Sequence, residues 1–451
     1  MPFGSDDQVA LRDALLGGPR SARELAARLR ISQATLSRLV RARADDLLTV
    51  GRARATRYAL RRRITGVEPI APIYEIMPDG TTRRLAHLHP VATEGFYVES
   101  LSPDIDSAFF RDLPYFLYGM RPSGFLGRRI PSQFPELGLP ESILHWSADH
   151  CLRYFATHAW DPPGAFIVGE RSFQTYLQQP LVTASSQPAD RASTYAERAI
   201  EALAGGRPGS SAAGEQPKFL VGLGDGRQQA LVKFSPPLDQ EVGRRVADLL
   251  VAEHLALETL TRCGANAALS ELVQGNARMF LQVLRFDRTE AGRHGVVTLA
   301  ALDNEYVGNG GQGQWPAIAA ELGRQRVIDA QLLPRIAFLS AFGELIGNTD
   351  MHGGNLAFLT RGTRITGLAP AYDMLPMLYM PQQGHILDRQ LTVSAPSAQH
   401  FGVWREARDA AEQYYADVAK HPLISRDFSA IAERNARTLN GARSLAARLP
   451  E

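Results

Sequence analysis

Gly347-Asn348-Thr349-Asp350-Met351-His352-Gly353-Gly354-Asn355 is a loop-like sequence with an informative spacing of polar groups, and Ala369-Pro370-Ala371-Tyr372-Asp373 follows it. An aspartate, an asparagine five residues later and a second aspartate beyond a short connection can supply one base and two metal ligands. Mg²⁺ prefers oxygen ligands of these kinds and bridges the phosphates of nucleotides. The spacing therefore predicts a phosphoryl-transfer site.

Regular elements are predicted on both sides of this loop. The helix before it is expected to stop at Gly347, because glycine is favoured just beyond a helix C-terminus. After it, the short apolar runs 356–359 and 365–368 predict a hairpin that carries Asp373 back toward Asn355. A lone Asp-x4-Asn is usually a solvated loop, but this placement argues against that interpretation. The apolar face of the helix comprises Ile336, Leu339, Phe342, Gly343 and Ile346.

A lysine lies within an apolar strand of the preceding region. Residues 205–218 are rich in small side chains and lead into a predicted hairpin that contains Lys233. A buried ammonium group is costly unless it meets an anion, so Lys233 is expected to face one. The helix predicted over 246–260 offers Glu253 and Glu258 as partners. The alternative is that Lys233 extends from an edge strand into water.

The run Met279-Phe280-Leu281-Gln282-Val283-Leu284-Arg285-Phe286-Asp287-Arg288 predicts a strand that enters a hinge. The backbone of such a segment can pair with adenine, and Asp287 can reach a ribose hydroxyl. The alternative is a buried strand closed by a turn at Asp287-Arg288.

The basic head, residues 1–63, predicts a winged helix-turn-helix. Three helical segments precede a hairpin, and Ser21 with Glu24 forms a capping-box pattern before the second helix. The third helix, 33–43, and the hairpin carry side chains that bond base edges or phosphates, which predicts binding to double-stranded DNA. The alternative is a small helical domain with a solvated basic face. The predicted DNA-contacting residues are Gln33, Thr35, Ser37, Arg38, Arg41, Arg52 and Arg54.

Composition and charge limit the class of protein. The chain has 451 residues, more than one hydrophobic core usually organises, so several domains are expected. Two cysteines and a polar first decapeptide favour a reducing cytoplasm, and no apolar run is long enough to span a membrane. The basic head carries a net charge of +8 and the rest of the chain −6. This separation suggests a polyanion as the partner of the head.

Together these motifs resemble the HipA family of serine/threonine kinases, toxins of bacterial toxin–antitoxin systems, and the fused head is similar to the YjjJ type of that family. The family loop Gly-Ala-Thr-Asp-x-His-x-Lys-Asn is matched by 347–355, and its hinge Glu-Arg-Phe-Asp-Arg by 284–288. Its Ser-x-x-Gly-x-Gln-x-Lys loop is matched by 211–218. The resemblance has specific motifs over 206–451 and only general character over 64–205.

The resemblance implies a role for each matched residue. Asp350 is implied to be the catalytic base, and Asn355 and Asp373 to be the Mg²⁺ ligands. Autophosphorylation is implied at Ser211, or at its neighbour Ser210. The implied ATP-binding residues are Lys233, its helix partner Glu253, Gln216, Lys218, Leu284, Phe286 and Asp287.

Two positions depart from the family pattern. Gly354 replaces the lysine that usually precedes the metal-binding asparagine, which removes a positive charge near the transferring phosphate and predicts reduced or altered chemistry. Leu284 replaces the glutamate of the hinge, but backbone pairing to adenine does not depend on that side chain.

The architecture implied by the resemblance is α+β. A winged helix-turn-helix (1–63) precedes a small β-rich subdomain (64–205) and a two-lobed, protein-kinase-like domain. The N-lobe of that domain, 206–288, carries the glycine-rich loop and the hinge. The C-lobe, 289–451, is expected to be mostly helical and to carry the catalytic loop.

The implied activity is an ATP- and Mg²⁺-dependent kinase that phosphorylates a serine or threonine of a protein, by family habit in translation, and so restrains growth. The head would bind DNA for autoregulation, and a homodimer is an option because winged-helix proteins often dimerise. One alternative is a DNA-binding transcriptional regulator with a weak or inactive, nucleotide-sensing kinase fold. A third hypothesis is action on nucleic acid itself at the two-acid magnesium site.

Overall fold

Four β-sheets and their surrounding helices form the part of the chain that the computed structural model describes, residues 5–178, 185–204, 216–310 and 314–446. Two of these sheets have three strands and two have five. The chain is therefore a mixture of helix and sheet, as predicted. None of the helices in these four ranges is long and apolar enough to cross a membrane.

Three helices and a three-stranded sheet form residues 5–60. The strand order is β1-β3-β2, and the β2–β3 hairpin is the one predicted from the sequence. Ser21 Oγ accepts from the Glu24 N–H while the Glu24 carboxylate accepts from the Ser21 N–H, so the predicted capping box is present. Leucines of all three helices meet in one core. The elements are α1 (Ser5–Leu16), β1 (Arg20–Ser21), α2 (Ala22–Leu29), α3 (Gln33–Arg41), β2 (Leu47–Val50) and β3 (Arg57–Leu60).

The basic head packs directly on the next sheet of the chain. The Arg62 N–H donates to the Pro90 carbonyl at 3.0 Å, and the Ala92 N–H donates to the Leu60 carbonyl at 2.8 Å. An ion pair joins Arg62 to Asp149. The head is therefore fixed to the middle of the molecule by backbone pairing as well as by side chains.

An antiparallel five-stranded sheet occupies the middle of the chain in the order β7-β6-β5-β4-β8. Helices α6 and α7 pack beside β8, and Leu152 and Phe155 of α6 are fully buried. The elements are β4 (Ala71–Ile76), β5 (Thr82–Pro90), β6 (Phe96–Ser100), β7 (Ala108–Phe110), α4 (Gly124–Gly127), α5 (Ile130–Gln133), α6 (Ala148–Thr157), β8 (Phe166–Val168) and α7 (Glu170–Gln178).

A second five-stranded sheet, in the order β12-β13-β11-β10-β9, carries Lys233 on its central strand. The boundary predicted at 205 differs from the structure, because residues 185–204 pack on this sheet. Tyr195 of α8 is fully buried among its phenylalanines and donates to Gln282 Oε1 at 2.5 Å. The elements are β9 (Ser185–Ser186), α8 (Arg191–Ala204), β10 (Lys218–Leu223), β11 (Gln228–Phe234), α9 (Glu241–Arg262), β12 (Ser270–Gly275) and β13 (Arg278–Leu284).

The last part of the chain is mostly helical and includes a three-stranded sheet, β14-β15-β16. Helices α12, α13 and α14 pack in succession, and Tyr414 and Tyr415 are fully buried between them. The elements are β14 (Gly295–Thr298), α10 (Leu299–Leu302), α11 (Trp315–Arg324), α12 (Leu333–Leu345), β15 (Ala357–Arg361), β16 (Arg364–Leu368), α13 (Trp404–Lys420), α14 (Arg426–Gly441) and α15 (Arg443–Ala446).

Candidate functional site

Lys233 is the centre of the candidate site. It is 4% exposed on β11, and its Nζ lies 2.6 and 2.8 Å from the two carboxylate oxygens of Glu253 on α9. The same Nζ lies 2.5 Å from Oδ1 of Asp373. A lysine that extends from an edge strand into water is therefore excluded. Glu258, the other predicted partner, instead faces His254 at 3.5 Å.

Lysine itself is rare in this chain, and its positions are informative. The sequence contains three lysines against 46 arginines, and two of them, Lys218 and Lys233, are direct cross-strand partners on β10 and β11. Directly paired residues of antiparallel strands project from the same face of a sheet. A lysine presents a compact point charge where arginine presents a planar fork. The rarity of lysine could therefore have marked Lys218 as a candidate site residue without the family pattern.

The loop 348–355 begins at a well-defined helix end. Gly347 has φ +75° and donates to the Glu344 carbonyl, and Asn348 donates to the Gly343 carbonyl, which together form a Schellman motif. A Cβ at Gly343 would lie 2.5 Å from Met351 Sδ. The glycine at 343 therefore leaves room for Met351, so the loop can fold back against α12. The helix ends at Gly347, as predicted.

Hydrogen bonds within the loop join three of the predicted residues. Asn348 Oδ1 accepts from the Asp350 N–H at 3.0 Å, and Asn348 Nδ2 lies 3.4 Å from the Asp373 carbonyl. Asn355 Nδ2 donates to the Asp350 carbonyl at 2.9 Å. Because the amide nitrogen of Asn355 is used in this way, its oxygen is the atom left to face a cation. Asn348 was not predicted from sequence as a site residue, and it orients both aspartates.

Asp373 is held in a rarely adopted backbone conformation. Its φ is +55°, a left-handed value that aspartate tolerates better than most residues, and such outliers concentrate at functional sites. The preceding Tyr372 donates its hydroxyl to the Gly354 carbonyl at 2.6 Å. This bond fixes the returning chain against the loop that carries Asn355, while Asp373 reaches Lys233.

The charges at the site shift one another's pKa values. Burial lowers the pKa of Lys233, but the carboxylates of Asp373 and Glu253 outweigh it and raise the pKa overall. Burial raises the pKa of Glu253, and the two lysines hold the pKa of Asp373 below its usual value despite burial. Partial desolvation raises the pKa of Asp350. A raised carboxylate pKa is suited to accepting a proton near neutral pH.

The hinge segment is more constrained than its sequence predicted. The N–H of Leu284 donates to the Leu269 carbonyl at 2.8 Å, and that of Arg285 donates to the Gln229 carbonyl at 2.8 Å. The sheet therefore already uses the Leu284 N–H, and backbone pairing of this segment to adenine stays a prediction. The Phe286 ring lies 5.6 Å from that of Tyr372, which places it beside the Asp373 segment.

Asp287 takes part in a buried ionic cluster that was not predicted. Its carboxylate lies 2.9 Å from Arg285 and 2.8 Å from Arg288, and it accepts from the Gly164 N–H at 2.9 Å. Asp161 of the middle region also pairs with Arg288, at 2.7 Å. Asp287 therefore ties the hinge to the middle region. The alternative stated above, a buried strand closed by a turn at Asp287-Arg288, did not include this long-range contact. Its role at a ribose stays a prediction.

A groove beside Asp350 was missed by the sequence reasoning. Its volume is about 320 Å³, and it is named here the Trp315 groove after the residue on its wall. Trp315 is 2% exposed and donates from Nε1 to the His352 carbonyl at 3.1 Å. The lining residues are Gln314, Trp315, Ser340, Glu344, Asn348, Thr349, Asp350, Met351 and His352. Five of them belong to the loop 347–355 that the sequence marks, but the other four lie on α11 and α12 or just before α11, and no local pattern joins these to the loop.

Gln216 precedes β10, where Lys218 begins the strand. Its Nε2 is buried and has no hydrogen-bond partner within the described ranges. The predicted phosphosites Ser210 and Ser211 lie outside the described residues.

The donor set at the site fits magnesium and a nucleotide triphosphate. Asn355 and Asp373 supply the amide and carboxylate oxygens that Mg²⁺ prefers. Lys233 and Lys218 supply positive charge on one face of the sheet, and Gln216 supplies a buried donor that no described residue accepts from.

Most of the predicted DNA-contacting side chains are exposed. On α3, Gln33, Ser37, Arg38 and Arg41 are exposed, whereas Thr35 is half-buried. Arg52 is exposed in the β2–β3 turn, and the side chain of Arg54 is outside the description.

Comparison with known proteins shows the family of this chain. The chain is 38% identical over 432 residues to Toxin YjjJ of Escherichia coli strain K12, covering 94% of this chain and 95% of that protein. The chain belongs to the HipA-like toxin family. Residues 210–440 of this HipA-like chain match the family model of the HipA-like C-terminal domain, and residues 67–177 match that of the YjjJ-like toxin middle domain.

A solved structure shares the fold of this HipA-like chain. It is the HipA, HipB and operator DNA complex of the Shewanella oneidensis MR-1 toxin–antitoxin system. The match has a TM-score of 0.51 and 17% identity, and it covers 83% of this chain and 97% of that one. The sequence prediction of a HipA-like toxin is thereby confirmed.

Proposed function

We propose that this HipA-like toxin is an ATP- and Mg²⁺-dependent kinase that phosphorylates a serine or threonine of a protein substrate. The observation that carries the proposal is the position of Lys233 Nζ between the carboxylates of Glu253 and Asp373. A buried strand lysine held by a helix glutamate, next to a metal-binding aspartate, is the arrangement that protein kinases use on ATP phosphates.

The proposed chemistry assigns separate work to each residue. Asp350 orients the acceptor hydroxyl and takes its proton, while the oxygen of that hydroxyl bonds to the γ-phosphorus and the bond to the ADP oxygen breaks. Lys233 and Lys218 bind phosphate oxygens, and Asn355 and Asp373 would hold Mg²⁺. Bound Mg²⁺ neutralises charge on the phosphates. Positioning and charge neutralisation account for most of the expected rate.

The test is transfer of ³²P from γ-labelled ATP by the full-length protein. Asp350→Asn should lower transfer by about 10²-fold or more, and Asp373→Ala should abolish it, because one removes the base and the other a metal ligand. Asp427→Asn, a change at an exposed aspartate of α14, is the matched control and should have no effect. Retained transfer by the Asp373 variant would defeat the proposal.

Autophosphorylation belongs to the same test. Mass spectrometry of the peptide that contains Ser210 and Ser211 should detect added phosphate after incubation with ATP and Mg²⁺, and Asp350→Asn should remove it. The negative charge of an added phosphate would repel ATP.

Gly354 favours a second candidate function, a DNA-binding regulator whose kinase-like domain senses nucleotide without transferring phosphate. No side-chain charge is present at position 354, where the family pattern has lysine. Nucleotide binding without transfer to any protein, measured by calorimetry and by ³²P incorporation, would support this alternative over the kinase.

We further propose that the basic head is a winged helix-turn-helix that binds double-stranded DNA. Three helices, a hairpin and the exposed arginines of α3 support this assignment. The described Shewanella oneidensis HipA is complexed with HipB and operator DNA, whereas this chain carries its own basic head. The head would therefore autoregulate expression or hold the kinase on DNA.

A further inference from the structure

The Trp315 groove adjoins the proposed catalytic base and has an acidic wall. Asp350 lines one part of it, and Glu344, in the last turn of α12, lines another. The Glu344 side chain is 47% exposed, so its carboxylate is open to an incoming group. Two acidic residues therefore line the same small space.

The charge of Glu344 is not balanced by a neighbouring cation. Within residues 5–178, 185–204, 216–310 and 314–446, its ion-pair contact is His400 Nδ1 at 3.6 Å, and no lysine or arginine lies within 4.0 Å. His400 is 1% exposed, and burial lowers its pKa, which disfavours the protonated ring. Burial raises the pKa of Glu344, which disfavours its charged form. A cationic partner would relieve this cost.

Trp315, on the groove wall, is held in place by a hydrogen bond. Trp315 is nearly fully buried and is pinned by its bond to the His352 carbonyl. His352 in turn accepts the Gly354 N–H at Nδ1, 3.0 Å away. The wall is thus connected directly to the loop that carries Asp350 and Asn355. An extended peptide in the groove would pass both Asp350 and Glu344, which line it.

We propose that the Trp315 groove binds the acceptor segment of the protein substrate, and that Glu344 selects a lysine or arginine close in sequence to the acceptor serine or threonine. The inference rests on the proposed kinase function. Phosphorylated or acidic ligands are disfavoured because both Glu344 and Asp350 would repel them. The occupant is therefore a basic peptide segment and not a second nucleotide.

Peptide binding tests the groove without requiring catalysis. Fluorescence anisotropy with the full-length protein and no nucleotide would compare serine peptides flanked by alanine, by lysine or by glutamate. The lysine peptide should bind about fivefold more tightly than the alanine peptide, the effect of one partly exposed ion pair. Glu344→Gln should remove this difference. Equal affinities for all three peptides, or a preference that survives in Glu344→Gln, would overturn the inference.

Glu258→Gln is the matched control. Glu258 is 51% exposed and faces a histidine at 3.5 Å, as Glu344 does at 3.6 Å, but it lies on α9 and does not line the groove. The preference for lysine should persist in this variant. Its loss would show that the effect is one of general charge and would count against the groove.

Phosphate transfer separates failure of the groove from failure of the kinase. With ATP and Mg²⁺, Glu344→Gln should raise KM for the lysine peptide about fivefold and leave kcat unchanged, because the contact is made equally in ground and transition states. Equal transfer to all peptides by the unaltered protein would overturn the groove inference alone. Selective binding without any transfer would overturn the kinase proposal and, with it, the acceptor role of the groove.

Discussion

Lys233 and Asp373 are 140 positions apart in the chain, yet Nζ of the lysine and Oδ1 of the aspartate lie 2.5 Å apart. One side chain comes from the central strand of a five-stranded sheet and the other follows a hairpin in the helical part of the chain. Their ion pair therefore joins the two halves of the proposed kinase domain. It also brings the proposed phosphate-binding lysine next to the proposed Mg²⁺ ligand.

Lys233→Met should destabilise the protein and abolish phosphate transfer. The change leaves Glu253, which is 1% exposed, without its cation, and removing one partner of a buried pair costs about 3–5 kcal/mol. Urea denaturation measures this loss. Lys420→Met is the matched control, because Lys420 is the third lysine of the chain and is exposed at the end of α13. An unchanged urea midpoint for Lys233→Met would refute the assigned burial.

Gly354→Lys should increase phosphate transfer by about tenfold if a positive charge at this position stabilises the transferring phosphate, a gain equivalent to about 1.4 kcal/mol. A Cβ at 354 would lie 2.7 Å from His352 Cε1, but that side chain is 56% exposed and can rotate away. Gly354→Ala introduces the same steric change without the charge and should not raise transfer. Equal rates for the two variants would indicate that charge at 354 is unimportant.

The buried ionic cluster should make stability depend on acid pH. The cationic arginines hold the pKa values of Asp287 and Asp161 below the usual 3.8 in spite of burial. As the pH falls below about 4, the unfolded chain takes up protons before the folded chain does, so stability present above that pH is lost. Asp287→Asn should reduce this slope by about one proton, or about 1.4 kcal/mol per pH unit, in urea titrations.

That slope should be unchanged in Asp427→Asn, since Asp427 is exposed on α14. If Asp287→Asn and the unaltered protein lost stability in parallel between pH 4 and pH 2, the assigned coupling to the arginines would be wrong.

Arg38→Ala and Arg41→Ala should each weaken DNA binding by the basic head and flatten its dependence on salt. Each lost phosphate contact lowers the slope of log K against log salt by about 0.9. Filter binding or anisotropy at several salt concentrations measures the change. Arg437→Ala, at an exposed arginine of α14, provides the control. Affinities unaffected by the α3 changes would leave the head as an interaction module of another kind.

The local elements could be predicted from the sequence because their signals are local. Gly347 stops α12 through its positive φ, and the Ser21 and Glu24 pair caps α2 through neighbouring backbone groups. The apolar strand around Lys233 implied that its ammonium group needed an anion. These features depend on residues within a few positions of one another, where spacing and conformation are directly related.

Only the tertiary structure decided which partners meet across long distances. It brought Glu253, which the resemblance had implied, to Lys233, used the Leu284 N–H within the sheet, and joined Asp287 to the Gly164 N–H of the middle region. It also formed the Trp315 groove from elements with no common sequence pattern. The physical reason is that burial and close approach of charged groups depend on how distant elements pack, and the sequence near each group does not contain that information.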